Sequence, residues 1–186
     1  MRLVLASASP RRADLLTSAG FSFDVEPANV DEARRQGEAP PTYAQRIARE
    51  KATAVAARHP ERIVIAADTI VVQDGAVFGK PADRAHAVRM LRALSGRSHE
   101  VLTAVAIAHK DGLDEHLEST RVIFAAMTPA EMDWYVASGE ADDKAGAYAI
   151  QGLAARFIPR IEGSYSNVVG LPIAAVHGML EAALKR

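Results

Sequence analysis

The segment Arg2-Leu3-Val4-Leu5-Ala6-Ser7-Ala8-Ser9-Pro10-Arg11-Arg12 decides how the rest of the chain is read. Residues 2–6 form the short apolar run of a buried strand. The run breaks at a serine-rich turn, where Ser9 has N-cap chemistry and Pro10 occupies the first helical position. The helix that follows turns Leu15 and Leu16 inward and stops near Gly20, a residue suited to a left-handed C-terminal position. A strand delivered straight into a helix is the unit of an α/β layered fold.

The alternation continues along the chain. Residues 21–25 read as a strand and 26–40, rich in Asp, Glu, Pro and Gly, as a loop. Thr42-Tyr43-Ala44-Gln45 has the Thr-x-x-Gln form of a capping box and opens a helix to about His59. Residues 63–72 make a strand, with Asp74-Gly75 as the hairpin signal into a second short strand at Val77-Phe78. After Pro81 a helix carries Val88, Leu91 and Leu94 on one face and ends at Gly96. A long hairpin is expected from 98–108 and 115–125 around Asp111-Gly112. Thr128-Pro129-Ala130-Glu131 is a second capping box, opening a helix that ends at Gly139. A charged, glycine-rich stretch (140–152), a strand at 157–161 and a last helix from about Leu171 complete the pattern. No internal repeat or low-complexity linker interrupts it, so the expectation is one domain over residues 1–186.

Composition narrows the function. The chain has 186 residues, 49% of them apolar, enough for a sizeable core. Absence of cysteine rules out disulfides, thiolate zinc sites and cysteine nucleophiles. The opening apolar run is too short for a signal peptide, and no stretch approaches the about 18 apolar residues of a membrane helix. The expectation is a cytoplasmic protein with no membrane partner. A net charge of -1 with dispersed basic residues argues against nucleic acid as a partner. A phosphate-binding Walker loop, a dinucleotide fingerprint and a nucleophile elbow are all missing. The six histidines have no ligand spacing, so any metal is expected on carboxylates, which favours Mg²⁺ or Mn²⁺.

Several residues are candidates for chemistry, each with a plainer alternative. Ser7, Ser9, Arg11 and Arg12 lie where a strand ends and a helix begins. There, free N–H groups, the helix dipole and two guanidinium forks suit phosphate. On spacing alone, an ordinary N-cap with solvent-facing arginines explains them better. Asp68-Thr69 interrupts the apolar run at 63–72, and a carboxylate there must be paired, metal-bound or functionally tuned. A role in chemistry is favoured over a structural salt bridge. Lys80 beside Pro81, and Arg49-Glu50-Lys51 on the second helix, read in isolation as surface residues. Arg46 and Glu50, four apart, suit a surface pair. Asp31 and Glu32 read as loop polarity unless a metal is near. Gln151 either reads a base edge or satisfies local backbone.

Taken in order, these segments resemble the Maf family of nucleotide pyrophosphatases, also known as septum-formation-inhibitor-like proteins. The matching stretches begin with Leu5-Ala6-Ser7-Ala8-Ser9-Pro10-Arg11-Arg12, Ala48-Arg49-Glu50-Lys51-Ala52 and Ala67-Asp68-Thr69. Gly79-Lys80-Pro81, Leu94-Ser95-Gly96, residues 143–152 and Val169-Gly170-Leu171-Pro172 follow, and the set spans nearly the whole chain. The resemblance implies a mixed α/β fold, a twisted central sheet flanked by helices, and two lobes around an active-site cleft. It also implies cleavage of a nucleoside triphosphate between the α and β phosphates with a divalent metal cation. Carried over by position, Asp68 is the catalytic base and a metal ligand, and Glu32 assists the metal. Ser7, Ser9, Arg12, Lys51 and Lys80 fall on phosphate-binding positions. Arg11, Thr69 and Gln151 resemble the subgroup acting on dTTP and UTP, rather than the tryptophan, glutamine and glutamate of the 7-methylguanosine triphosphate subgroup. A glutamine amide, with one donor and one acceptor, complements the O4 and N3–H edge of uracil or thymine. One departure is Gly79, where many pyrimidine-subgroup members have glutamate.

Two rival readings accompany this one. A regulator of cell division that senses nucleotides would bind without releasing pyrophosphate. A house-cleaning enzyme would act on modified pyrimidine nucleotides. A homodimer is the default assembly.

Overall fold

A computed structural model describes residues 3–185 of the chain. The first strand, β1, is Leu3–Leu5, and its expected start at Arg2 lies outside the described residues. It runs into α1 (Pro10–Ser18), with Ser9 at the N-cap and Pro10 at N1 as the sequence predicts. The Ser9 side chain makes no capping bond; instead its N–H donates to Ser7 Oγ at 3.2 Å. Leu16 is buried, Leu15 partly so, and Gly20 follows with φ +81°. The order continues with β2 (Phe23–Val25), α2 (Pro40–Ala56), β3 (Val64–Gln73), β4 (Ala76–Phe78) and α3 (Arg84–Leu94). Then come β5 (Ser98–His109), β6 (Gly112–Ile123), α4 (Pro129–Ala137), β7 (Arg160–Glu162), α5 (Tyr165–Val169) and α6 (Ile173–Leu184).

The strands form one mixed seven-stranded sheet in the order β2-β1-β3-β5-β6-β7, with β4 paired to β3. β1 is parallel to both β2 and β3, so the α1 and α2 segments are crossover connections. β3–β4 and β6–β7 are antiparallel. The β3–β4 turn places Asp74 (φ 51°) and Gly75 (φ +77°) both in the left-handed region, the backbone that a two-residue Asp-Gly hairpin demands.

Four expectations are corrected. Thr42 does not cap α2: the helix begins at Pro40, N-capped by Ala39 without a side-chain bond. Two prolines with preset φ fix the entry two residues before the Thr-x-x-Gln pattern. The same helix ends at Ala56, and residues 57–58 form a turn before Pro60. Phe157 belongs to a 3₁₀ turn, Leu153–Phe157, and the strand starts only at Arg160. The last helix starts at Ile173, after the separate five-residue α5, which is too short to show a hydrophobic period.

Two compact units emerge. The first comprises the chain through Thr69, Thr103–Glu118 and everything from Gly170 onward. Its core joins Leu3, Leu5, Ile65, Val105 and Ile107 of the strands to Leu16 of α1 and Val176 and Leu180 of α6. The second comprises Ile70–Leu102 and Ser119–Val169. Its core packs Leu91 and Leu94 of α3, Phe124, Met132 and Tyr135 of α4, and Tyr148 and Phe157. Each large apolar side chain so buried contributes about 1.5–3 kcal/mol. Among the described residues no helix is long and apolar enough to cross a membrane.

Candidate active site

Asp68 sits on β3 with its neighbours Ala66 and Ala67 fully buried, and is itself 7% exposed. Its partner comes from α2. The buried face of that helix carries Ala44, Ile47, Ala48, Lys51, Ala52 and Val55, so Lys51 stands on the apolar stripe and is 8% exposed. Its ammonium lies 3.0 Å from Asp68 Oδ1. Lys51 is therefore no surface lysine. The period of the helix carried the signal, because positions three and four apart on either side of Lys51 are all apolar. Burial raises the Asp68 carboxyl above its ordinary range, while the charges of Lys51 and Arg12 pull it partly back.

Glu32, on the loop before α2, reaches the same ammonium at 3.0 Å although its side chain is largely exposed. That loop is held from α2. Tyr43 OH donates to the Glu32 carbonyl at 2.9 Å, and Arg46 Nη2 donates to the Ala33 carbonyl at 3.0 Å. The Arg46 guanidinium also grips Glu38 in bidentate fashion, at 2.7 and 2.9 Å. Arg46 does pair with Glu50, at 3.3 Å, but as a secondary contact, and its side chain is mostly buried. The i,i+4 spacing exposed only that weaker partner. Asp31 bonds locally, accepting from the Ala33 N–H at 2.9 Å.

Arg12 is 9% exposed, and its guanidinium is spread over four protein acceptors. Nε donates to the Gly170 carbonyl (2.8 Å), Nη1 to Ser7 Oγ (3.1 Å) and the Ala67 carbonyl (2.9 Å), and Nη2 to Thr69 Oγ1 (3.0 Å). With five N–H groups on a guanidinium, one remains for a ligand. The solvent-facing arginine suggested by spacing alone is corrected for Arg12: it ties the first turn of α1 to β3 and to the turn before α6. Thr69 Oγ1 also contacts Thr103 Oγ1 at 2.9 Å and the Gly170 carbonyl at 3.3 Å. Gly170 has φ +132°, a conformation that side chains disfavour, and its carbonyl serves both Arg12 and Thr69. Thr103 carries no signal in the sequence, and Gly170 stands there only as part of the motif at 169–172; strand pairing and a segment distant in sequence bring them to the site.

Ser7, Arg12, Glu32, Lys51, Asp68 and Thr69 are thus gathered in the first unit, with Ser9 half-buried and Arg11 half-exposed beside them. Lys80 and Gln151 belong to the second unit, and both are exposed. The two motifs that carry them are in contact through backbone: the Gly146 N–H donates to the Gly79 carbonyl at 3.0 Å.

Among the described residues no group of three or more His, Asp or Glu forms a cage. Asp68 and Glu32 instead supply two carboxylates that share one ammonium, which brings hard oxygen donors together. That suits Mg²⁺, which is commonly held by one or two carboxylates and completed by water and substrate phosphates. The residues fit such an ion.

Comparison with known proteins places the chain in a family. A dTTP/UTP pyrophosphatase of Koribacter versatilis is 53% identical over 183 residues, covering 98% of this chain and 95% of the relative. A protein of the same name from Geobacter sulfurreducens is 54% identical over 177 residues, covering 94% of this chain and 93% of its own. The Staphylococcus aureus Ham1 protein superposes with a TM-score of 0.54 at 15% identity, over 98% of this chain and 99% of that one, a likeness of fold. Residues 2–183 match the sequence profile of the Maf-like proteins, and the chain belongs to that family.

Proposed function

We propose that this chain is a nucleoside triphosphate pyrophosphatase that hydrolyses dTTP and UTP to the nucleoside monophosphate and pyrophosphate. The observation that carries the reading is the buried Asp68–Lys51 pair with Glu32 on the same ammonium, in a chain more than half identical to relatives so named.

The substrate is a polyanion, so attack at phosphorus needs charge neutralised before it needs a strong base. Asp68 and Glu32 would hold a divalent ion, Mg²⁺ or Mn²⁺, which would supply Lewis acidity at the phosphate oxygens. Lys51 balances the two carboxylates and offers its third donor to phosphate. Ser7 and Ser9, at the start of α1, add hydroxyl and backbone donors there. Arg12 contributes its charge and one N–H while its other donors hold the turn rigid. Asp68 orients water and takes its proton, in line with the departing pyrophosphate. Burial suits it to this task, because a carboxyl raised above its usual range is a better base than one in water. On the motif match, Lys80 is assigned to phosphate, and Arg11, Thr69 and Gln151 to base choice. Thr69 enters that role through its position, since its hydroxyl is engaged with Arg12, Thr103 and Gly170. A cytoplasmic homodimer is part of the same proposal.

The test is a panel of normal and modified triphosphates, assayed for pyrophosphate with Mg²⁺, Mn²⁺ or chelator. Release from UTP and dTTP that depends on the added ion is expected. Tight nucleotide binding without pyrophosphate release under every condition overturns the enzyme and leaves the regulator.

A further inference from the structure

Gln151 sits on an exposed segment, and an exposed glutamine discriminates between bases only if its backbone is fixed. The segment is anchored on both sides by one carboxylate and one phenol. Before Gln151, the Ala149 N–H donates to Tyr135 OH at 3.2 Å. After it, the Leu153 N–H donates to Glu140 Oε2 at 2.8 Å and the Ala154 N–H to Glu140 Oε1 at 3.3 Å. These are free N–H groups at the start of the 3₁₀ turn Leu153–Phe157, so Glu140 caps that turn from a distance in sequence. The two anchors are joined, since Tyr135 OH donates to Glu140 Oε1 at 2.8 Å. Tyr135 is fully buried on α4 and cannot drift, which makes it a rigid post.

Gly152, next to Gln151, shows how closely the carboxylate approaches. A methyl group built there would lie less than 3.0 Å from both Glu140 oxygens. Only glycine lets the segment close over Glu140 in this way.

We propose that Glu140, braced by Tyr135, is a positioning residue for base selection that acts through Gln151. The proposal rests on the reading that Gln151 recognises the uracil or thymine edge. Glu140 touches no substrate; it sets where the Gln151 amide stands.

The experiment compares UTP with CTP, whose base edge reverses the donor and acceptor pattern, in Glu140→Gln, Tyr135→Phe, Gln151→Ala and the double variant Glu140→Gln/Gln151→Ala. Loss of one charged acceptor should lower the UTP-over-CTP preference in kcat/KM about tenfold in Glu140→Gln. The change should lie in KM for UTP, with kcat unchanged. Tyr135→Phe, which keeps the buried ring, should move the preference in the same direction and serves if Glu140→Gln does not fold. In the double variant the preference should equal that of Gln151→Ala alone, because a residue acting through another adds nothing once the other is gone. An unchanged preference in the folded Glu140 or Tyr135 variants, or additive losses in the double variant, overturns the proposal while Gln151 keeps its role. An unchanged preference in Gln151→Ala itself overturns both the role of Gln151 and the proposal built on it.

Discussion

Asp68 carries opposing demands: burial disfavours its charge, while Lys51 and Arg12 favour it, and burial wins. Two predictions concern this residue. Asp68→Asn should abolish nearly all turnover, since the amide accepts no proton from water and binds a cation poorly. Near-normal pyrophosphate release by a folded Asp68→Asn protein would defeat the assignment. The second concerns pH. In the metal-free protein the Asp68 carboxyl should therefore titrate, by NMR, above the ordinary carboxylate value of 3.8. Lys51→Met removes the largest influence holding that value down, so the same titration should move to higher pH. A titration that stays put or moves down contradicts the electrostatic account. At this scale the candidate residues were legible by motif, but their surroundings were not. Spacing alone places Arg12 among solvent-facing arginines, yet it is a clamp with four protein partners, because its acceptors at Ala67, Thr69 and Gly170 are brought in by strand pairing and by a segment distant in sequence.

At the scale of elements, local rules succeeded where a signal was self-contained. Thr128 and Glu131 form the complete capping box, with Thr128 Oγ1 accepting from the Glu131 N–H and Glu131 reaching back to the Thr128 N–H. Thr128→Ala should cost about 1 kcal/mol, readable as a lower denaturation midpoint. No loss would mean that α4 is held by packing alone. The Thr42 pattern failed because Pro40-Pro41 had already fixed the entry of α2. The loop before that helix depends on contacts invisible at short range: Arg46 bridges Glu38 and the Ala33 carbonyl, and Tyr43 holds the Glu32 carbonyl. Arg46→Met should accelerate hydrogen exchange at the amides of residues 33–38, leaving the α2 amides protected. Equal exchange in both proteins would show that the loop needs no clamp.

At the scale of the molecule, His99 links packing to pH. It is buried beside Phe124 and Tyr148, with Nε2 2.7 Å from Tyr148 OH and no partner for Nδ1 among the described residues. Burial depresses its pKa to about 4. The unfolded chain takes up that proton near 6.5 and the folded chain only near 4, so the stability is fully present above 6.5 and is lost as pH falls between the two. The loss amounts to about 3 kcal/mol at about 1.4 kcal/mol per pH unit. Stability measured by denaturant from pH 7 to 4 should therefore fall less steeply in His99→Phe than in the parent. Parallel curves would show that His99 does not contribute to acid unfolding.

The sequence alone determined the alternation of strand and helix, the Thr128 capping box, the Asp74-Gly75 hairpin turn, and the identity of the acidic residue interrupting an apolar run. All of these are set by neighbours within a few positions, where periodicity and backbone preference act. Tertiary structure decided which of those residues share a charge: that Lys51 faces inward to Asp68, that Glu32 meets the same ammonium, and that Glu140 reaches forward to hold the backbone around Gln151. Such pairings depend on which surfaces the chain buries together, and burial turns ordinary side chains into a carboxylate with a raised pKa and a guanidinium with one N–H left to offer.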